Sequence, residues 1–319
     1  MKLRPSFSVC RSPERVPGLL FLLLLLVPPG RLRAAGEERF RSPQAAVDTL
    51  QAAVEAKDTN ALRAIFGPGA QNLVSADVVE AAAERELFVR RLQEKVNLVT
   101  ESDSRQELHL GADGWPFPIP LVKQEGQWFF DTAAGKEEVL NRRIGANELG
   151  AIQVCRAYVQ AQRDYASADR NGDEVLEYAQ HLRSTPGTHD GLYWSLRPGD
   201  ELSPLGPLVA LARGEGYRQK TRILADEQSP YHGYYFEILT RQGNHAAGGR
   251  YKYIINGHMI AGFALVAWPA AWGNTGVMTF LVNQQGKVYQ KNLGPKTSAV
   301  ASRMTAYDPD KTWTPVTEN

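Results

Sequence analysis

Apolar positions recur at helical spacing near the start of the chain and alternate with polar ones further on. Ser42-Pro43 precedes Ala46, Val47, Leu50, Ala53 and Val54, a pattern that predicts an N-capped amphipathic helix. Asp58 or Thr59 caps a second, short helix over 61–66, which Gly67-Pro68-Gly69 ends. A third, rich in Ala, Glu and Arg, covers 76–95. The period then shortens, and 96–101, 106–110, 119–124 and 127–131 read as strands, the last two joined at Glu125-Gly126. Helical spacing returns over 136–167, with a break expected at Gly145. Leu149, Ile152, Cys155 and Val159 form its apolar stripe, with Tyr158 and Tyr165 beside it. After an irregular section, strands are predicted at 234–240, 251–255, 263–268, 277–283 and 287–292, with hairpin signals at Asn256-Gly257 and Gln285-Gly286.

This order predicts an α+β fold of two domains, 40–135 and 140–316, each made of helices plus an antiparallel sheet. Ahead of them, residues 1–36 have the layout of a secretory signal peptide. A basic stretch precedes the apolar run LLFLLLLLV at 19–27, and Ala34, Ala35 and Gly36 follow. Nine residues of helix cover about 14 Å, against a hydrocarbon core of about 30 Å. No permanent membrane span is therefore expected once the signal is cleaved, the alternative being an uncleaved anchor.

Charge changes the picture once the signal is set aside. The whole chain has 36 basic and 35 acidic residues, but without residues 1–36 the balance is 30 to 34. A mildly acidic mature protein argues against nucleic acid as a partner. The two cysteines, Cys10 and Cys155, exclude a disulfide scaffold and a Cys-rich metal site. Cys155 lies on an apolar stripe, where a buried, inert thiol is expected.

Four blocks resemble a bacterial exported family classed only as a domain of unknown function: DGWPFPIPLVK (113–123), WFFDTAAG (128–135), NRRIGANELGAIQVCRAYVQAQRDYAS (141–167) and GVMTFLVNQQGKVYQKNLGP (276–295). The resemblance runs from about Phe40 to Val316. It implies a periplasmic or secreted location and no particular activity. Within it, residues 40–135 are similar to the cone-shaped domains of the nuclear-transport-factor-like superfamily. Residues 146–292 are similar in element order to pilin-like headpieces. The apolar N-terminal stem is separated from the long helix by a whole domain, so it cannot serve as the assembly helix of a pilus.

The sharpest local motif is DRNGDEVLE, 169–177. Asp169, Asn171 and Asp173 stand at positions 1, 3 and 5 of an EF-hand-like calcium loop, Leu176 at position 8, and Glu177 is a further oxygen donor. Position 6 is Glu174 instead of glycine, and position 12 is Gln180 instead of glutamate. The competing structural reading is a helix end followed by an Asx-turn. If calcium binds, Asp169, Asn171, Asp173 and Glu177 hold it.

A second candidate is aromatic. Tyr193-Trp194 and Tyr231, His232 and Tyr234 flank Gly- and Pro-rich loops, where exposed rings would stack on sugar or peptide; core packing is the alternative. Neither a G-x-S-x-G elbow nor an S-x-x-K pair, Walker loop, dinucleotide fingerprint or HExxH is present. The resulting expectation is a non-catalytic exported protein that binds a cell-envelope partner, protein or glycan, or aids assembly. The alternative is a hydrolase or glycan-binding protein acting on a cell-wall or extracellular substrate.

Overall fold

The structure is a computed structural model that describes residues 36–196, 199, 201–217 and 230–317. The predicted signal peptide and Cys10 lie outside the described residues, apart from Gly36 at the end of the signal.

The first region begins with α1 (Pro43–Glu55), α2 (Thr59–Phe66) and α3 (Val78–Glu94). Their N-termini are closed by the side chains that the sequence marks or adjoins: Ser42 accepts the Ala45 N–H, Asp58 those of Asn60 and Ala61, and Asp77 those of Val79 and Glu80. An antiparallel sheet follows, made of β1 (Val96–Ser102), β2 (Arg105–Leu110), β3 (Trp115–Pro116), β4 (Leu121–Gln124) and β5 (Gln127–Phe130), in the order β1-β2-β4-β5 with β3 on β2. Glu125 (φ 52°) and Gly126 (φ 78°) make the two-residue turn between β4 and β5. Leu50, Ile65, Leu92, Leu108, Leu121 and Phe130 are buried between the helices and one face of the sheet. Each side chain of this size contributes about 1.5–3 kcal/mol of transfer free energy.

A single helix, α4 (Thr132–Tyr165), leads out of the sheet. It runs through Gly145 without interruption, so the expected break is absent. One glycine costs about 1 kcal/mol of helix propensity, which 34 residues of packed helix readily absorb. Another glycine sets the docking of α4. A Cβ on Gly135 would stand 2.7–2.9 Å from Ile119 and the Pro118 carbonyl, so the helix can sit this close only because the side chain is absent.

The second region packs α4 against a sheet of order β15-β13-β12-β11-β6, all antiparallel: β6 (Tyr234–Leu239), β11 (Ala264–Pro269), β12 (Met278–Asn283), β13 (Tyr289–Asn292) and β15 (Thr314–Pro315). Strand β11, which carries Trp268, is buried at every position, and Tyr158, Phe263 and Phe280 belong to the same core. Two short helices, α5 (Gly206–Gly214) and α6 (Thr297–Ala301), flank this core. The remaining strands are β7 (Arg241–Gln242), β8 (Tyr251–Lys252), β9 (Ile254–Ile255), β10 (His258–Met259) and β14 (Ala306–Tyr307). The strand predicted over 251–255 is thus split, and its second half forms a small hairpin with β10. The architecture is α+β, with two regions that each hold helices and an antiparallel sheet.

Candidate functional site

The site forms where α4 ends. Arg170 folds back to cap the helix: its Nε donates to the Tyr165 carbonyl and its Nη2 to that of Asp164. Asp169 caps the turn that follows, its carboxylate accepting the backbone N–H groups of Gly172 (2.8 Å), Asp173 (3.3 Å) and Glu174 (2.9 Å). These bonds, that of Glu174 first and Gly172 next, hold its pKa below the usual aspartate range. Gly172 (φ 80°) and Glu174 (φ 66°) supply the left-handed conformations that the turn needs. This is the Asx-turn geometry, and it engages Asp169 away from the other expected cation ligands.

The other three are brought together. Asp173 Oδ1 accepts the Val175 N–H at 2.9 Å, which leaves Oδ2 facing Asn171. Asn171 Nδ2 donates to Asp173 Oδ2 (2.7 Å) and to Glu177 Oε1 (2.8 Å), bridging the two carboxylates. Glu177 is buried and also accepts the Met259 N–H at 2.9 Å. The loop and the β9–β10 hairpin are further joined by Tyr178 N–H to the Met259 carbonyl (2.8 Å) and Gln180 Nε2 to the Gly257 carbonyl (2.6 Å). Deeper in, the Gln162 amide bonds both the N–H and the carbonyl of Ala179, anchoring the returning chain to α4.

The hairpin adds a ligand that the loop motif does not contain. His258 Nδ1 lies 3.3 Å from Asp173 Oδ2 and 3.6 Å from Glu177 Oε2. One ligand atom from each of Asp173, Glu177 and His258 falls within 4.8 Å of the others, so these residues can coordinate a metal ion. Donors held about 2.0–2.2 Å from a tetrahedral ion stand about 3.3–3.6 Å apart, the spacing seen around His258. The cluster opens on a cavity of 240 Å³ that His181 and Asp190 also line. Asp190 accepts from Thr185 and Thr188. Burial acts to raise its pKa, but the hydrogen bonds outweigh it and the net shift is downward. His258 is 81 positions from Glu177 by number, and its one local signal is the Asn256-Gly257 turn immediately before it, with both residues at positive φ.

The aromatic candidates do not share one place. Tyr193 and Trp194 are buried and line a larger cavity of 890 Å³. Trp194 stacks on His189 at 4.3 Å and donates to the Glu201 carbonyl, and Tyr193 Oη accepts from Arg213 at 2.6 Å. Tyr234 lies in the sheet core, donating to the Met278 carbonyl. Tyr231 and His232 meet at Glu215, with Tyr231 Oη and His232 Nε2 at 3.3 and 3.0 Å from its carboxylate. His232 has a positive φ of 46°, and its N–H donates to Tyr217 Oη. Burial and then the charge of Asp77, whose carboxylate accepts from Tyr217 Oη, push the Tyr217 phenol up. Tyr193, Trp194, Tyr231 and Tyr234 are all buried. Cys155 is fully buried, and burial pushes its thiol up to about 12.

Among the described residues, no helix is long and apolar enough to cross a membrane. Residues 37–316 match the model of a family described as "Protein of unknown function (DUF2950)", and the chain belongs to that family. No curated protein and no solved structure matches the chain.

Proposed function

We propose that this DUF2950 protein is an exported, non-catalytic binding protein of the bacterial envelope, with a divalent cation that fastens its second region at Asp173, Glu177 and His258. One observation carries the reading: two carboxylates and an imidazole nitrogen, from chain segments far apart in sequence, converge within 4.8 Å. The nitrogen selects the ion. Calcium, expected from the loop oxygens alone, takes oxygen ligands, whereas an Asp/Glu/His set suits zinc or a similar first-row ion. Asn171 completes the set. Rotating its amide by half a turn puts Oδ1 where Nδ2 now bridges the carboxylates, giving a fourth ligand. Four protein ligands close the shell, as in structural zinc sites. Export is read from the signal-like residues 1–36, and the binding role from the likeness of 40–135 to cone-shaped domains and of 146–292 to pilin-like headpieces.

A hydrolase is the second reading, favoured by the cavity beside the cluster and by His181 and Asp190 within it. There Asn171 would stay off the ion and leave an open position for water. Calorimetric titration of the mature protein with zinc and with calcium tests both readings. Zinc at ten times its dissociation constant stabilises by about 1.4 kcal/mol; His258→Ala abolishes the response, and Asn171→Ala weakens it. An unshifted melting temperature with zinc contradicts the metal reading. Retained zinc affinity in Asn171→Ala favours the hydrolase.

A further inference from the structure

We propose that the first region binds an amphipathic organic anion, an apolar body with a carboxylate head, in the cavity between α3, the Trp115–Ile119 segment and the first half of α4. The cavity measures 530 Å³, within the range of small-molecule sites. Its walls are Phe88, Trp115, Phe117 and Val139, and at its mouth Val74 and Leu87 are exposed to solvent. An apolar body is therefore favoured within and at the entrance.

The head group is read from Arg143. Its side chain is only 2% exposed. Nε and Nη2 bond Glu84 at 3.0 and 2.9 Å, and Nη2 also donates to the Leu73 carbonyl. Its Nη1 is buried and has no hydrogen-bond partner, and Arg143 is among the residues that line the cavity. A buried guanidinium N–H without an acceptor is costly, and a carboxylate oxygen is the acceptor that relieves it most strongly. Two further cations flank this one. The guanidinium groups of Arg91 and Arg142 lie over the Trp115 ring, 4.9 and 5.4 Å from its centre, and each holds one carboxylate of its own, Asp113 and Glu138. With Arg85, four arginines line the cavity together with Glu80 and Glu84, and the partner acids Asp113 and Glu138 balance two of them. Burial raises the Glu80 pKa. A neutral apolar ligand would leave the Nη1 donor unanswered. A phosphate-headed amphiphile shares the chemistry, and the test separates it from the carboxylate.

The probe is sodium decanoate, titrated calorimetrically into the mature protein with a chelator present, so that the outcome is independent of the metal site. Controls are 1-decanol, decyl phosphate and phosphatidylglycerol vesicles. The expected result is saturable 1:1 decanoate binding, at least tenfold tighter than decanol. Ala81→Trp fills the cavity from the helix surface without touching an ion pair, and it abolishes binding. Arg142→Gln weakens binding at least threefold. Because Arg143→Gln exposes Glu84 to an unpaired state and can unfold the region, it is read only alongside these two. Equal binding of decanol and decanoate overturns the proposal, as does unaltered binding by Ala81→Trp. Decyl phosphate binding without decanoate binding overturns the carboxylate assignment, and binding to vesicles alone replaces the proposal with a membrane-facing surface.

Discussion

The two ends of α4 carry opposite chemistry. Its first half sets Val139, Arg142 and Arg143 along an apolar cavity walled by aromatic rings, while its C-terminus runs into a loop where two carboxylates, an amide and an imidazole gather around a small polar one. The first arrangement is held by packing: the helix seats on Pro118-Ile119 through Gly135, and arginines are locked by neighbouring acids and rings. The second is held by hydrogen bonds: three backbone N–H groups donate to Asp169, and the Met259 N–H donates to Glu177. A packed site should fail when volume changes, and a hydrogen-bonded one when a single polar group is removed. Each should tolerate the other's insult.

The largest expected effect is on the packed side. Phe130→Ala removes a fully buried ring that lies 5.2 Å from Phe66 and 6.3 Å from Phe117, and should cost about 3–5 kcal/mol in a denaturant titration. Zinc affinity of the protein that remains folded should not move; a parallel loss would mean that the two sites are one coupled unit. Gly135→Ala is next. Its methyl group would meet the Ile119 and Pro118 backbone at 2.8 and 2.9 Å, and overpacking of this kind costs about 1–3 kcal/mol. It should weaken decanoate binding and spare zinc.

On the hydrogen-bonded side, Asp169→Ala should lower zinc affinity about tenfold, as loss of groups that orient ligands commonly does, with decanoate binding unchanged. The folded pKa of Asp169 lies below its ordinary value, so its support is present at neutral pH and lost as pH falls through the folded value. The smallest effect is expected of Glu80→Gln. The Glu80 pKa is raised, chiefly by burial, so the parent loses stability as pH rises from the ordinary glutamate value through the folded one. The variant should be the more stable of the two at pH 8, and the difference should vanish near pH 4. A constant difference across that range would remove burial of the charge as the cause.

The same contrast explains what could be read from the chain. Patterning located α1 to α3 and the strand pairs of the first region to within two residues or so, because caps and turns are local: Ser42, Asp58 and Glu125-Gly126 act on neighbours. It did not find α5, whose nine residues lie in a stretch of prolines and glycines. The oxygen donors of the loop were visible as a motif, yet the motif could not say that Asp169 would turn to the backbone. Nor could it supply His258, which the fold brings in from a hairpin about 80 residues away. The aromatic candidates were legible as residues, but their separation was not: Tyr234 lies in the sheet core, whereas Tyr193 and Trp194 line a cavity. The arginine cavity left no motif, because Arg91, Trp115 and Arg142 meet only after three elements have packed.

The central claim is that a divalent ion sits among Asp173, Glu177 and His258. Anomalous diffraction at the zinc edge, on crystals of the protein grown with zinc, tests it most directly. The account predicts one strong peak about 2.0–2.2 Å from His258 Nδ1 and from a carboxylate oxygen of each acid, with the Asn171 amide turned to present its oxygen. A peak elsewhere, or none beside His258, would contradict it.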